Sequence, residues 1–163
     1  MSNAKATDII ATLFFVMTFL GVGAAAFEGH VNYPAWAHIS DESFRSYHQA
    51  VTARIGVLIV PLALSTLLNA LLLWRRPPSI PLWAAWSTLA LQILAWISTA
   101  MIQIPIQRSL GSGGYSNELL ERLISTDLLY RKVPGYLRAA IAGWTLFSVV
   151  KEAGSDSGRA AER

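Results

Sequence analysis

The stretch IIATLFFVMTFLGVGAAAF, residues 9–27, contains no charged side chain and is apolar over most of its length. About 20 apolar residues in an α-helix, each rising about 1.5 Å, are needed to cross the hydrocarbon core of a bilayer. The stretch is longer than the apolar part of a signal peptide, and the residues after it make a poor cleavage site. It therefore predicts a retained transmembrane helix.

Three further apolar stretches follow, so the sequence predicts four transmembrane helices in one domain that covers residues 1–153. Their expected positions are about residues 9–28, 46–74, 81–107 and 134–150. The short turn Arg75-Arg76-Pro77-Pro78-Ser79 joins the second helix to the third, which makes these two helices antiparallel. The predicted fold is all-α: an integral membrane, antiparallel four-helix bundle.

The segments between these helices differ in character. Residues 31–45 are polar and rich in aromatics, and residues 110–114 are rich in glycine, so both are expected to be loops. Residues 117–130 repeat apolar side chains at helical spacing, which predicts a short amphipathic interfacial helix before the last span. Residues 154–163 are small and polar and are expected to form a disordered tail.

The composition excludes several classes of protein. Hydrophobic residues make up 53% of the chain and charged residues 14%, against about 25% charged in an average soluble domain. The net charge is +3, but the basic residues are scattered, which argues against nucleic acid as a partner. The absence of cysteine from the sequence excludes disulfides, thiolate metal sites and thiol redox chemistry.

Basic residues also orient the helices in the membrane. Arg75 and Arg76 lie in a short loop at a helix end, where the positive-inside rule is strongest. Placing this loop inside predicts a multi-pass protein of the bacterial inner membrane with both termini in the cytoplasm. Membrane lipids are then expected partners, and a homo-oligomer or a larger membrane complex stays open.

Arg138 is the charged residue whose burial in the four predicted spans costs the most free energy. Counted at about 1.5 Å per residue, it lies about 10 Å inside the apolar layer, where a guanidinium needs an anion or water. By the same count Glu28, Arg54, Gln103 and Arg131 reach one boundary of the layer together. Arg54 and Arg138 outnumber the single carboxylate Glu28, so an anionic or carbonyl-bearing ligand would balance the charge.

Helical phase places polar residues on one face of three helices, because spacings of four, seven and eleven return close to the same side. The residues that share such faces are Thr88, Gln92, Trp96, Thr99 and Gln103 on the third helix; Arg131, Arg138 and Thr145 on the fourth; and Tyr47, Arg54 and Pro61 on the second. One interpretation is an outward-facing cationic pocket. The other is a set of hydrogen bonds that only fixes helix packing.

A divalent metal is a further candidate ligand. Glu28, His30 and His48 are expected at one membrane level, and a carboxylate with two imidazoles suits zinc, iron or copper in a chain without thiols. Glu28 and His30 point apart on a continuous helix, so they can share a metal only if the helix ends at Gly29. The alternative is that these histidines lie among lipid headgroups with neighbouring aromatic residues.

The motifs Tyr33-Pro34-Ala35-Trp36 and Phe44-Arg45-Ser46-Tyr47-His48, within a four-helix topology, resemble those of small uncharacterised bacterial membrane proteins. The arrangement is also similar to the anthrone-oxygenase-like family, whose members oxidise polyketide anthrones without a classical cofactor. The resemblance implies an oxidoreductase that acts on a lipophilic substrate. The last span carries no matching motif, so no catalytic residue is transferred from that family.

The favoured function is a membrane-embedded enzyme, of oxidoreductase type if the resemblance holds, that acts on a lipophilic carbonyl- or carboxylate-bearing substrate. In this hypothesis Arg54 and Arg138 hold the substrate oxygen, and Glu28 or His48 moves the proton. The expected ligand-binding residues are Tyr47, Gln92, Trp96, Thr99, Gln103 and Arg131. The alternative is a non-catalytic structural or assembly subunit of a larger membrane complex.

Overall fold

The computed structural model describes the backbone of residues 3–161 and the side chains of residues 5–152. All regular elements in this part of the chain are helical. The four stretches that are long and apolar enough to cross a membrane are Lys5–His38, Asp41–Leu72, Leu82–Gly113 and Asn117–Glu152, here named α1 to α4. They confirm the all-α class and agree in number with the four predicted spans. Helices α1 and α4 extend beyond both predicted ends, α2 begins earlier than predicted, and α3 ends later than predicted.

Helix α1 continues through the segment that was expected to be a loop. Its parts are the α-helix Asn3–Phe27, a π-helical segment at Glu28–Asn32, a short α-helical turn at Tyr33–Ala35 and a 3-10 turn at Trp36–His38. Only Ile39 and Ser40 separate it from α2. The prediction of a loop over residues 31–45 is therefore wrong, because the aromatic side chains of this segment are buried in a helical core rather than placed among headgroups.

Helix α2 consists of Asp41–Thr52 and Gly56–Leu72, with a tightened turn between them. At this turn the backbone N–H groups of Arg54, Ile55 and Val57 donate to carbonyl oxygens three residues earlier. The tightened turn interrupts the regular α-helical spacing on which the predicted common face of Tyr47, Arg54 and Pro61 depends. Tyr47 and Arg54 are exposed.

Helix α3 consists of Leu82–Ser98, a π segment at Thr99–Gln103 and Ile104–Gly113. It ends at Gly114, whose φ of 92° lies in the region that glycine favours. The predicted flexible break therefore falls later and is shorter than expected. Of the predicted polar face of this helix, Thr88, Gln92 and Gln103 are buried and Thr99 is half-buried.

Helix α4 consists of Asn117–Asp127, a π segment at Leu128–Lys132 and Val133–Ala161. The Ser116 hydroxyl caps its start by accepting from the Leu119 N–H at 3.3 Å. The predicted amphipathic helix before the last span is thus present, but it is continuous with that span. Residues 154–161 of the predicted disordered tail continue the helix, and residues 162 and 163 lie outside the described residues.

The three π segments have a common cause in the sequence. In each case a proline stands two residues after the segment, and these prolines are Pro34, Pro105 and Pro134. Proline has no N–H and its ring clashes with the carbonyl four residues earlier, which disfavours a regular α-turn at that point. The wider turn avoids the clash, and the residue before each proline donates five residues back, as Tyr33 N–H does to the Glu28 oxygen.

Each of the four helices packs against two others, since α1 contacts α2 and α4, and α3 contacts α2 and α4. Two apolar cores stabilise this arrangement. One, here called the bundle core, contains Ala11, Phe14, Phe15, Leu72, Ile80 and Ala142. The other, here called the cap core, contains Tyr33, Trp36, Phe44, Ile106, Leu110, Leu120 and Leu123.

Candidate functional site

A cavity of about 550 Å³ borders the cap core, a size in the usual range for binding sites of small molecules. Its apolar lining comes mainly from α2 and includes Val51, Ile55, Leu58, Ile59, Leu62 and Ile104. Its polar lining includes Glu28, Tyr33, His48, Gln103, Gln107 and Arg131. Glu28, Gln103 and Arg131 all lie in π segments, so the prolines that widen these turns also determine which side chains reach the cavity.

Glu28 is the acidic group of this cavity, and its side chain is held by a neighbour one turn later. The Asn32 Nδ2 donates to Glu28 Oε2 at 2.9 Å. The Asn32 Oδ1 in turn accepts from Trp36 Nε1 at 3.3 Å and from the Tyr47 hydroxyl at 3.2 Å. These hydrogen bonds fix the Glu28 carboxylate at the cavity wall, where its second oxygen can serve as a proton acceptor.

His48 is the imidazole of the cavity, buried against the Trp36 and Phe44 rings. Its Nε2 lies 2.7 Å from Gln107 Oε1, and Gln107 Nε2 donates to the Tyr33 hydroxyl at 3.3 Å. Because the amide oxygen faces the ring, Nε2 carries the hydrogen and Nδ1 is the free acceptor. The Tyr33 hydroxyl accepts from Gln107, so its own hydrogen is free to donate.

Gln103 supplies a donor that is not used within the protein. It is 2% exposed, and its Oε1 accepts from the Ser98 hydroxyl at 2.9 Å. Its Nε2 has no hydrogen-bond partner among the described residues. A buried N–H group without a partner is costly, so a ligand oxygen in the cavity would satisfy it.

A second, smaller cavity of about 60 Å³ lies beside the first. The lining residues that the two cavities share are Ala25, Ile59, Leu62, Thr99 and Arg131. The polar residues of the smaller cavity are Gln92, Trp96, Thr99, Arg131, Lys132 and Tyr136. Arg131 therefore stands at the boundary between the two spaces.

A buried ion pair holds the start of the last span next to this smaller cavity. Lys132 Nζ lies 2.6 Å from Asp127 Oδ2, and Arg131 Nη1 lies 3.1 Å from Asp127 Oδ1. The pair packs directly on Gly29, where any added Cβ would collide with Lys132 and Asp127. Glycine at this position of α1 is therefore required by the close approach of the pair.

Arg138 lies deeper, among neutral groups. It is 0% exposed, and its Nη1 donates to Gln92 Oε1 at 2.6 Å and to the Ser65 hydroxyl at 3.3 Å. Its guanidinium carbon stands 5.7 Å from the centre of the Phe14 ring. Among the described residues, Nε and Nη2 have no hydrogen-bond partner, and no carboxylate forms an ion pair with Arg138.

The structure brings together some of the predicted site residues and separates others. Glu28, His48, Gln103 and Arg131 line the larger cavity, and the residues that line the smaller cavity include Gln92, Trp96, Thr99 and Arg131. Arg138 reaches the smaller cavity only through Gln92. Arg54 is exposed and donates to the Ala50 carbonyl of its own helix at 2.8 Å, and Tyr47 only supports Asn32.

The three proposed metal ligands lie in different surroundings. Because α1 continues through Gly29, Glu28 is buried while His30 is exposed and lies 2.7 Å from the Tyr136 hydroxyl. His48 is bonded to Gln107 instead. Among residues whose side chains are described, no three histidine or acidic groups are close enough to hold a metal ion.

Sequence reasoning missed Asp127, Lys132, Tyr33 and Gln107. Asp127 was the most important omission, because it is a second buried carboxylate and changes the charge balance. Its spacing of four residues before Arg131 is the standard spacing of a helical ion pair and was a usable signal. Tyr33 and Gln107 had no such signal, because their contact joins α1 and α3.

Comparison with protein-family models, curated proteins and solved structures finds no match for this chain. The resemblance to the anthrone-oxygenase-like family stays a prediction. The candidate site therefore rests on its own geometry: an apolar cavity that carries an acid, an imidazole, a cation and unused hydrogen-bond donors.

Proposed function

We propose that this protein is a membrane-embedded enzyme that binds a lipophilic molecule and moves a proton next to a carbonyl or carboxylate group. The observation that carries the proposal is the 550 Å³ cavity, whose long wall is apolar and whose polar residues include both Glu28 and His48. An apolar cavity with a few polar groups is the usual form of a site for a small lipophilic ligand.

The polar lining suits the chemistry of an enolate. Arg131, the free hydrogen of the Tyr33 hydroxyl and the unpaired Nε2 of Gln103 can stabilise a negative oxygen in an apolar space. Glu28 or Nδ1 of His48 can accept the proton from the neighbouring carbon. Arg131 thereby takes the role that the sequence suggested for Arg54.

A membrane location supports a lipophilic substrate. Large apolar side chains are exposed along all four helices, and they include Leu20, Val57, Leu67, Ile97 and Phe147. Contacts between α2 and α3 run in opposite residue order, from His48 with Gln107 through Thr66 with Trp96 to Asn69 with Ala85. We therefore propose an antiparallel transmembrane bundle, in the bacterial inner membrane with both termini in the cytoplasm.

The arrangement in the membrane can be tested by labelling, because the chain has no cysteine of its own. Single cysteines at Ser79 and at Ser112 should react with an impermeant reagent from opposite faces of intact vesicles. Labelling of both positions from one face would contradict an antiparallel transmembrane bundle.

The proposed reaction can be tested on the molecule that the cavity retains. Organic extracts of the purified protein should contain a lipophile that a Leu58→Trp variant, with its cavity filled, does not retain. In D₂O the wild type should introduce deuterium at the carbon next to the carbonyl of that lipophile, and Glu28→Gln should lose most of this exchange. Glu118→Gln, an exposed acid, is the matched control.

The alternative function would give a different result. A structural or assembly subunit would co-purify with a stoichiometric protein partner, and its extracts would contain only bulk lipids in wild type and Leu58→Trp alike. That result would contradict the enzyme proposal.

A further inference from the structure

The smaller cavity differs from the larger one in the chemistry of its lining. Its polar lining contains the cations Arg131 and Lys132 but no carboxylate among the described residues. The Thr99 hydroxyl donates to the Ala95 carbonyl of its own helix, and Trp96 Nε1 donates to Thr66. Lys132 is bound to Asp127, so the groups that remain for a ligand are mainly N–H donors, including those of Arg131.

Arg138 determines which end of Gln92 faces this cavity. The Gln92 oxygen accepts from Arg138 at 2.6 Å, so the amide nitrogen must point away from the guanidinium. Because Gln92 also lines the smaller cavity, its NH₂ group is the end that can donate to a ligand there. By binding the Gln92 oxygen, Arg138 leaves the Gln92 NH₂ group as a hydrogen-bond donor for the cavity.

The charges around the two cavities do not cancel. The buried or half-buried charged groups near the cavities are Glu28, Asp127, Arg131, Lys132 and Arg138. If all are ionised, three cations face two carboxylates, which leaves one positive charge. A low-dielectric interior makes an unbalanced charge expensive, so one monovalent anion is the complement that the site lacks.

We propose that the smaller cavity binds the carboxylate group of a lipophilic acid whose apolar part occupies the larger cavity. The inference rests on the proposed function, because it uses the larger cavity as the site of the apolar part. A volume of about 60 Å³ suits a head group rather than a whole molecule. Gln92 and Arg131 are the residues that recognise the carboxylate, while Lys132 stays paired with Asp127.

The test compares two probes that share one chain and differ in head group. Binding of radiolabelled hexadecanoate and hexadecanol to the detergent-solubilised full-length protein is measured by scintillation proximity. The wild type should bind the acid at least tenfold more tightly than the alcohol, because only the acid supplies the missing charge. Equal affinities would overturn the inference but leave the proposed function in place.

Gln92→Glu is the sharpest variant. The glutamate still accepts from Arg138 and supplies the missing negative charge itself, so hexadecanoate affinity should fall at least tenfold while hexadecanol affinity is unchanged. The ligand-free variant should also unfold at a higher temperature than wild type. Gln92→Leu removes the donor without adding charge, and it should also lose the preference for the acid. Preserved acid preference in both variants would overturn the inference.

Two further measurements distinguish a bound head group from a free small anion and from an unused cavity. If a free small anion fills the smaller cavity, chloride should weaken hexadecanoate binding relative to gluconate at equal ionic strength, and this would overturn the inference. Leu58→Trp, which fills the larger cavity, should weaken both probes together. If neither probe binds and Leu58→Trp has no effect, the proposed function itself fails.

Discussion

Lys132 and Arg138 are two buried cations on the same helix, yet their surroundings differ in kind. Lys132 is paired with the carboxylate of Asp127, which lies earlier in the same helix. The polar contacts of Arg138 within the described part of the chain are with neutral oxygens, its guanidinium lies near a phenylalanine ring, and two of its nitrogens find no hydrogen-bond partner there. We interpret Lys132 as structural, because a carboxylate of the protein itself neutralises its charge. The charge of Arg138 is compensated incompletely by the chain, which is expected of a group that also serves a ligand.

The largest effect is expected from Asp127→Asn, which would leave Lys132 and Arg131 without their shared carboxylate. Removing one partner of a buried ion pair costs about 3–5 kcal/mol, because the remaining charge stays in a poorly solvated place. Thermal unfolding in detergent would measure the loss. Glu121→Gln, at an exposed position of the same helix, is the control and should change stability by about 0.5 kcal/mol or less. Equal effects of the two variants would show that the pair contributes little.

Gly29→Ala should break the same pair from the opposite side. The added Cβ would collide with Lys132 and Asp127, so either the pair or α1 must shift. We expect a loss of about 1–3 kcal/mol, the usual cost of overpacking. Gly23→Ala is the matched control, because nothing lies within 4 Å of a Cβ there and alanine favours a helix by up to about 1 kcal/mol. The opposite sign of the two changes in melting temperature is the diagnostic result.

Arg138→Leu should behave differently from a loss of Lys132 or Asp127. A charge at this depth costs roughly 2.5–3.5 kcal/mol even on the lenient insertion scale, and its removal offsets the hydrogen bonds that are lost. We expect membrane abundance to be unchanged or higher, while ligand retention is abolished. Arg138→Lys should rescue retention only in part, because an ammonium lacks the planar face of the guanidinium, which lies 5.7 Å from the centre of the Phe14 ring. Normal abundance together with normal retention in the Leu variant would make Arg138 dispensable.

Some features of the molecule can be predicted from its sequence alone. The apolar runs predicted the number of helices, and the spacing on α3 correctly identified Thr88, Gln92 and Gln103 as inward-facing. Counting residues along its helix also singled out Arg138, and the structure buries its side chain completely. These features depend on local periodicity, which a sequence shows directly.

The helix ends and the ion pair were harder to predict because they depend on tertiary contacts. Pro34, Pro105 and Pro134 are ordinary signals for a helix boundary, but here each helix continues through a π segment. Packing of the cap core holds these continued helices in place, and the polarity of residues 31–45 gave no sign of that core. Arg54 was misplaced for a related reason, since a tightened turn interrupts the regular α-helical spacing of α2.

The smallest expected effect measures how much a neutral hydrogen-bond acceptor, the Ser65 hydroxyl, stabilises buried Arg138. The Ser65 hydroxyl accepts from Arg138 Nη1 at 3.3 Å, a long contact beside the 2.6 Å bond to Gln92. Ser65→Ala should therefore cost only about 0.5–1.5 kcal/mol in thermal unfolding. Ser148→Ala is the matched control, because that hydroxyl also donates to its own helix but does not contact a cation. The control should be neutral or slightly stabilising.

The same substitution in an Arg138→Leu background isolates the contact. If Ser65 acts through Arg138, its replacement by alanine should then have no cost, and the difference between the two backgrounds is the coupling energy. A cost that stays the same in both backgrounds would mean that Ser65 stabilises the packing of α2 alone. The charge of Arg138 would then be stabilised almost entirely by Gln92 and by the proposed bound anion. Its surroundings would differ even more from those of Lys132, which has a carboxylate partner within the protein.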